Sequence, residues 1–512
     1  MTNPSSKTLL DRDSSWRQRS ELESMAELSP ELEKEIGRLD KEFWVSSSTL
    51  KSIVKQFQKD LKAGLESDRS AIPMNPTWVF GLPSGKEKGT YMAVDLGGTN
   101  LRVCKITLHG NSASSPHTLD QEEYKLPEEI KTSSASDLWN HVTDVIATFL
   151  SDKGLDKEYT ENKAMPLGFT FSYPATQHRI DHGILQTWTK GFDISGVEGE
   201  DVVAQLRTKI SERKLPVKLV ALANDTVGAM IASAYNDRST IVGAIFGTGC
   251  NAAYMQRLVR SPPSIPKLTL QDDEWDVLVH EENEGRDTRI AINCEYGAFG
   301  SGADSVLPLT KYDETIDRES PRPGEQGFEK LSAGLYLGEI WRLVMLELYG
   351  KGLVFKDQDT TMLKEAYALD TRFLSRIEDD DSHNFQDTRK LFENELSIKV
   401  CDEEIETSRR VAELIALRGA RLCACGIAAI CLNEDLKEGH VAADGSVANK
   451  HPKFKKRWAS ALGEILDWEV EDSEKGPIRL ISAEDGSGVG VAVIAAMTVE
   501  RKKRGMGVGT GK

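Results

Sequence analysis

The sequence predicts an α/β fold built as two similar lobes, and three observations predict it. Apolar strand patterns alternate with amphipathic helical ones along much of the chain, the order expected of α/β units with a mostly parallel sheet. A hairpin with a glycine-rich tip occurs twice, as VDLGGTNLRV and as IFGTGCNAAY, the second roughly 150 residues after the first. The chain has 512 residues, more than a single hydrophobic core usually serves.

The elements follow in order. Residues 1–27 are polar and charged and are expected to be disordered. In LEKEIGRLDKEFW and LKSIVKQFQKDL the apolar residues fall at helical spacing. The stretch IPMNPTWVFGLPSGKEKG is dense in turn residues and reads as a connector. YMAVDLGGTNLRVCKITLHG then gives strand, glycine turn, strand. DLWNHVTDVIATFL is an amphipathic helix and PLGFTFSYP a strand. GEDVVAQLRTKISERK is a helix, PVKLVALA a strand and TVGAMIASAYN a helix. IVGAIFGTGCNAAYM is the second hairpin. Residues 256–290 are charged and Pro-interrupted and read as a surface excursion, whereas 327–432 read as helical. AEDGSGVGVAVIAAM opens a last helix, and the basic, Gly-rich end VERKKRGMGVGTGK reads as a disordered tail.

Bulk charge narrows the partners. The formal net charge is −17, and a negative surface repels nucleic-acid phosphates and anionic lipid. No stretch approaches the apolar length that spans a bilayer, and the start has no apolar signal region. The seven cysteines are odd in number and form no CxxC pair, which argues against a disulfide framework or a zinc site. The expectation is a cytoplasmic protein in a reducing compartment.

Three glycine turns and a set of polar residues carry the chemistry. DLGGTN, GTGCN and DGSGVG match neither the Walker nor the Rossmann spacing. Singly, each is more often a plain hairpin or helix-cap turn. Together they offer backbone N–H groups and Thr hydroxyls to phosphate oxygens. Asp95 stands at the first tip, where a carboxylate tolerates a phosphate only with Mg²⁺ or its waters between; otherwise it stabilises the turn. FSYP, WTKGF, ND, INCEYGAFG and QGFEK set polar residues among apolar ones. Buried polar groups need partners, and a polyol supplies them, since each hydroxyl donates and accepts. The alternative is a set of structural partners, with Glu329 and Lys330 on a solvated helix face and Trp188 in the core. Asp225 ends an apolar run, where it is either a helix cap or a base at the mouth of a site.

VDLGGTNLRV, LGFTFSYP, WTKGF, LVALANDT, GTGCNAAYM, INCEYGAFG, FEKLSAGLYLGEI and EDGSGVG occur in the order of the eukaryotic hexokinase family, which the chain resembles over roughly 30–500. GTGCNAAYM and TWTKGFDI are most similar to the fungal glucokinases of that family. The resemblance implies two ribonuclease H-like (actin-like ATPase) lobes around a deep cleft. It places helices at 28–83 with the large lobe, a small lobe at 84–222, the large lobe at 223–486, a returning helix at 487–502 and a tail at 503–512. It implies ATP-dependent phosphorylation of the 6-hydroxyl of glucose or a similar hexose, the first step of glycolysis. Asp225 resembles the general base and Lys190 the lysine beside the sugar and the transferring phosphoryl. Ser172, Thr189, Asn224, Asn251, Glu295 and Glu329 match the sugar-holding positions. Asp95, Gly97, Gly98, Thr99, Asn100 and Arg102 match the first nucleotide turn and Thr248 the second; Gly445, Ser446, Gly486 and Ser487 match the remaining nucleotide region.

The implied cofactor is ATP with Mg²⁺ held through phosphates and water, with no dedicated protein metal site. The implied partners are a hexose and ATP alone, in a monomer or weak homodimer. The chain departs from the family in SGADSVLP, in MQ after NAAY, and in a longer excursion at 256–290. Two other readings compete: an inactive hexokinase-like regulator, which would lose the base, the lysine or a phosphate turn, and a chaperone-like or filament-forming ATPase, which needs no WTKGF or INCEYGAFG. All of those motifs stand here.

Overall fold

A computed structural model describes residues 20–22, 24, 26–110, 115–189, 191–283, 285, 288–302, 305–468, 475–483 and 486–510. Of the segment expected to be disordered (1–27), residues 1–19, 23 and 25 lie outside that set, whereas Ser20 and Glu21 bond Glu413 and Leu22 is buried, so its end is held against the protein. The first helices are α1 (Pro30–Phe43) and α2 (Ser47–Glu66). Pro30 opens α1, where a missing N–H is harmless, and Ser46 caps α2 by accepting the Thr49 N–H.

The segment expected as a connector contains strand β1 (Asn75–Phe80), paired antiparallel with β11 at the edge of a sheet. Pro76 is tolerated because an edge strand has ladder positions that donate to nothing. The register shifts between Pro76 and Phe80, and Trp78 takes φ 61 there, so β1 is an irregular strand whose turn-like residues hid it.

Next come β2 (Gly89–Leu96), β3 (Asn100–Leu108), β4 (His117–Lys125), α3 (Ala135–Asp152), β5 (Met165–Phe171), β6 (Ala175–Arg179), β7 (His182–Leu185), α4 (Val202–Glu212) and β8 (Val217–Ala223). The five-stranded sheet runs β4-β3-β2-β5-β8. Its β2, β5 and β8 pair in parallel, while β3 pairs antiparallel with both β2 and β4 and is the one reversed strand of the sheet. The sheet is therefore mixed rather than mostly parallel, because each glycine-tipped hairpin contributes a reversed strand.

The second half repeats this plan: α5 (Asp225–Asn236), β9 (Thr240–Phe246), β10 (Cys250–Arg257), α6 (Asp272–Asn283), β11 (Arg289–Asn293), α7 (Gly327–Ser332), α8 (Gly334–Gly350), α9 (Asp402–Asn433), β12 (Gly439–Asp444), α10 (Phe454–Leu466), β13 (Ile478–Ser482) and α11 (Gly486–Lys503). Its six-stranded sheet runs β1-β11-β10-β9-β12-β13.

Helix α9 is long and apolar enough to cross a membrane by length and composition, contrary to the sequence expectation, but 89% of its apolar window is buried inside the protein. It is a spine against which α1, α2 and α10 pack. Its buried guanidinium groups are paired, Arg418 with Asp313 at 2.7 and 2.8 Å and Arg421 with Glu464 at 2.8 and 2.6 Å, as burial of charge requires.

Two more expectations change. The excursion is not only surface: Glu281 of α6 is buried and holds Arg501 of α11 bidentately at 2.7 and 2.9 Å. The C-terminal tail is placed as far as Thr510. Val508 is buried, Ile180 donates to the Gly509 carbonyl at 2.8 Å, and the Gly509 N–H donates to Glu274 at 3.3 Å. Its glycines are the reason: a side chain at 509 would enter the ring of Trp78.

The two sheets meet through α5 and α11. Helix α11 lies on β2, β5 and β8, and α5 on β9, β10 and β12. They cross at glycines. A Cβ on Gly486 would stand 2.8 Å from the Ala229 Cα, and one on Gly490 would enter the Gly228 carbonyl. Gly490→Ala is expected to destabilise the protein by about 1–3 kcal/mol, the range for overpacking, read from the urea midpoint. Gly350→Ala, in open space at the end of α8, is the control and should hold or gain stability. A wild-type midpoint in Gly490→Ala would refute the tight crossing.

Candidate active site

The strand β8 is buried along most of its length and stops at Asn224. Asn224 is the N-cap of α5, accepting the Thr226 N–H at 2.8 Å. Asp225 Oδ1 accepts from the same N–H at 2.7 Å and from Thr226 Oγ1 at 3.1 Å. Capping thus falls mainly to Asn224. Among the described residues Oδ2 of Asp225 is unengaged, at the carboxyl end of a strand, where α/β sheets bind ligands.

Tyr173 lies between two carboxylates. Burial, with Asp95 and Asp225 nearby, pushes its phenol well above the ordinary value. It stays protonated and donates to the Gly97 carbonyl at 3.1 Å. Its ring meets Trp188 edge-on at 4.8 Å and Phe192 at 5.3 Å. Trp188 is core, as the structural alternative held. This wedge carries Thr189, whose carbonyl accepts the Phe192 N–H at 3.1 Å, and Glu198 Oε1 accepts the Trp188 N–H at 2.5 Å. Ser172, at the end of β5, is buried on the same side. Lys190 lies outside the described residues.

The opposite wall comes from β10, β11 and α7. Asn251 Nδ2 donates to Asn293 Oδ1 at 2.8 Å and Asn293 Nδ2 to Glu295 Oε1 at 2.7 Å. Asn251 Oδ1 accepts the Glu295 N–H at 2.9 Å. Glu295 itself takes φ 55, a left-handed conformation that surrounding contacts must hold and that clusters at functional sites. Glu329 Oε2 accepts the Cys250 N–H at 3.1 Å. A Cβ on Gly249 would stand 2.6 Å from that oxygen, so the second glycine turn is shaped by the carboxylate behind it. Lys330 is no solvated residue: it is buried and donates to Asp317 at 2.6 Å, Ser320 at 2.9 Å and the Arg322 carbonyl at 2.8 Å.

Each of the first two glycine turns is closed against another segment. At the first, Ser487 Oγ at the start of α11 donates to Asp95 Oδ2 at 2.6 Å. Asp95 is the cross-strand partner of Arg102. Gly97 N–H donates to the Asn100 carbonyl at 3.1 Å and closes the tip around Gly98 and Thr99. The Asn100 side chain is turned to Glu123 and not into the turn. At the second, Gly247 lies against Gly445, whose φ is 111 and whose added Cβ would stand 2.5 Å from the Phe246 carbonyl. Thr248 and Ser446 flank that backbone contact. Only glycine permits so close an approach of the two backbones; no group of three or more metal-ligating side chains occurs among the described residues.

Sequence reasoning did not single out Tyr173, Glu198 or Asn293. Asn293 carried a signal, a polar residue ending the buried strand RIAIN. Glu198 carried none, because its role is set by a fold-back onto Trp188.

Two family models, both described as Hexokinase, match the chain, one over residues 35–235 and one over residues 241–497. The hexokinase of Emericella nidulans is 50% identical over 484 residues, covering 94% of each chain. Hexokinase-1 of Saccharomyces cerevisiae is 48% identical over 491 residues, 95% of this chain and 96% of that one. Among solved structures, the hexokinase from Schistosoma mansoni complexed with glucose aligns with a TM-score of 0.79 at 32% identity, covering 91% of this chain and 99% of that chain.

Asn293→Ala removes the amide donor from Glu295 and the acceptor from Asn251. Affinity for a polyol ligand at this wall, read by calorimetry, is expected to fall about tenfold, the worth of roughly one hydrogen bond to a charged group. Unchanged affinity in a folded variant would mean Asn293 does not orient this wall.

Proposed function

This chain belongs to the hexokinase family and is a hexose kinase, and we propose that it transfers the γ-phosphoryl group of ATP to the 6-hydroxyl of glucose with Asp225 as general base. One observation carries the assignment of the base. Asp225 projects from the carboxyl end of β8 with Oδ2 unengaged among the described residues, beside Asn224, between a carboxylate wall and the glycine turns.

The reaction needs alignment and charge stabilisation more than covalent help. Asn251, Glu295 and Glu329 on one lobe, with Ser172, Thr189 and Asn224 facing them, hold the sugar hydroxyls and fix the 6-hydroxyl beside Asp225. Asp225 accepts the 6-hydroxyl proton as the oxygen bonds to the γ-phosphorus, and the bond to the β-phosphate oxygen breaks to release ADP. Lys190, by its match to the family's lysine, supplies a positive charge to the transferring phosphoryl. The turn at 97–99, Thr248, Gly445, Ser446, Gly486 and Ser487 cradle the phosphates and nucleotide. Mg²⁺, when bound, neutralises phosphate charge. Asp95, engaged by Ser487, would hold that ion through its waters. The free state of all seven cysteines supports work in a reducing compartment such as the cytoplasm.

ADP release is to be followed with glucose, mannose and fructose at saturating MgATP. Asp225→Ala is expected to lower kcat by about 10²–10⁴-fold, the contribution of a positioned base, with glucose binding retained. A variant keeping most of its kcat would sink the base assignment, and a wild type inert on every hexose would sink the kinase reading. Glu295→Ala and Glu329→Ala are each expected to raise the glucose KM about tenfold, for the loss of a charge-assisted hydrogen bond; wild-type KM in both would remove them from the sugar site.

A further inference from the structure

At the base of the cleft a small polar cavity lies between the two sheets. It is lined by Asn75 and Thr77 of β1, Gln177 of β6, Tyr173, Asn224 and Asn293. It has room for roughly one water molecule. Most polar groups around it are engaged within the protein. Thr77 donates to the Ala291 carbonyl at 2.8 Å, Gln177 to the Leu222 carbonyl at 3.2 Å, and Tyr173 to Gly97.

Asn75 is the exception. Its Oδ1 accepts from Gln186 Nε2 at 3.2 Å, but its buried Nδ2 has no hydrogen-bond partner. A buried donor left unmade is costly, and a polar cavity of this size is where an ordered water meets such a group. Strand register fixes what that water reaches. Asn75 is the cross-strand partner of Asn293, and Asn293 is bonded to both Asn251 and Glu295. Asn224, beside Asp225, lines the same cavity. The irregular register of β1 beyond Pro76 leaves Asn75 at the one stretch where the strand pairs regularly with the end of β11.

We propose that Asn75 is a positioning residue of the sugar site: through a buried water its amide holds Asn224 and Asn293, and with them Asn251 and Glu295, in the arrangement that receives the sugar. Gln186, at the end of the β6–β7 hairpin, anchors Asn75 from the other side. The proposal rests on the sugar-kinase reading above. It adds a residue from a third strand that touches neither substrate.

Two variants separate this role from general packing. Asn75→Asp keeps the acceptor for Gln186 and the side-chain volume and removes the amide donor. Asn75→Leu removes both polar atoms at similar volume. In each, the glucose KM and the glucose Kd from calorimetry without ATP are expected to rise about tenfold, the worth of one buried hydrogen bond. The KM for MgATP and kcat at saturating glucose should stay within about twofold, and Tm within a few degrees. If the Leu variant fails to fold, the isosteric Asp variant carries the test. Wild-type glucose affinity in the Asp variant overturns the proposal alone. So does a parallel loss of Tm, kcat and both affinities, which marks a scaffold residue. A wild-type protein that neither binds nor turns over glucose overturns the kinase reading and this proposal together.

Discussion

The close crossing of α5 and α11 is the constraint on which the rest of the molecule depends. Helix α11 covers the five-stranded sheet and α5 the six-stranded one, so their contact is the joint between two otherwise separate cores. Glycine at 228, 486 and 490 brings backbone against backbone, and close-packed interiors do not yield to added volume. The same joint delivers the chemistry. Asp225 is the first residue of α5 and Ser487 the second of α11. A shift of either helix would move the base away from the turn that Ser487 ties to Asp95. Packing at the joint and geometry at the cleft are one problem solved by the same residues.

The cleft is built from polar groups that satisfy one another in chains. Asn251, Asn293 and Glu295 exchange four hydrogen bonds, and Glu329 takes a backbone N–H from the glycine-tipped hairpin. Such chains fix each carboxylate in one orientation before a ligand arrives, which lowers the reorganisation that binding requires. Asparagine suits this work because its amide donates on one side and accepts on the other without charge. Tyr173 makes the same point electrostatically. Between Asp95 and Asp225 it can only remain a neutral donor, so it braces the first turn and adds no charge near either carboxylate.

How far the sequence revealed this depends on whether each signal was local. The β8–α5 junction was legible because an apolar run ending in Asn-Asp-Thr is both a strand end and a cap. The two glycine-tipped hairpins were legible because their pattern repeats. Strand β1 was not, since Pro76 and the flanking turn residues carry a loop signature and only pairing with β11 makes a strand of them. Glu281 read as one charge in an acidic run, and its burial follows from meeting Arg501, 220 positions away. The tail after Lys503 reads as disorder by composition, yet glycine there is what lets the chain pass Trp78. In the cleft, residue types were visible one at a time, but which asparagine faces which glutamate is set by strand register.

The two sides of the cleft joint differ in strength, and this follows from burial. Behind the cleft, Arg501 and Glu281 form a bidentate pair that is buried on the glutamate side, and removing one member of a buried pair costs about 3–5 kcal/mol. Beside it, the tail bridges Ile180 of the β6–β7 turn and Glu274 of α6. At the mouth, Arg322 and Glu198 face each other at 4.0 Å with both side chains nearly half exposed. Such a pair is worth at most about 1 kcal/mol and is screened by salt. The lobes are therefore fastened at the back and lightly held at the front. Parting that one exposed pair costs little beside the buried pair behind it, so the position of Asp225 depends on the helix crossing and not on the contact at the mouth.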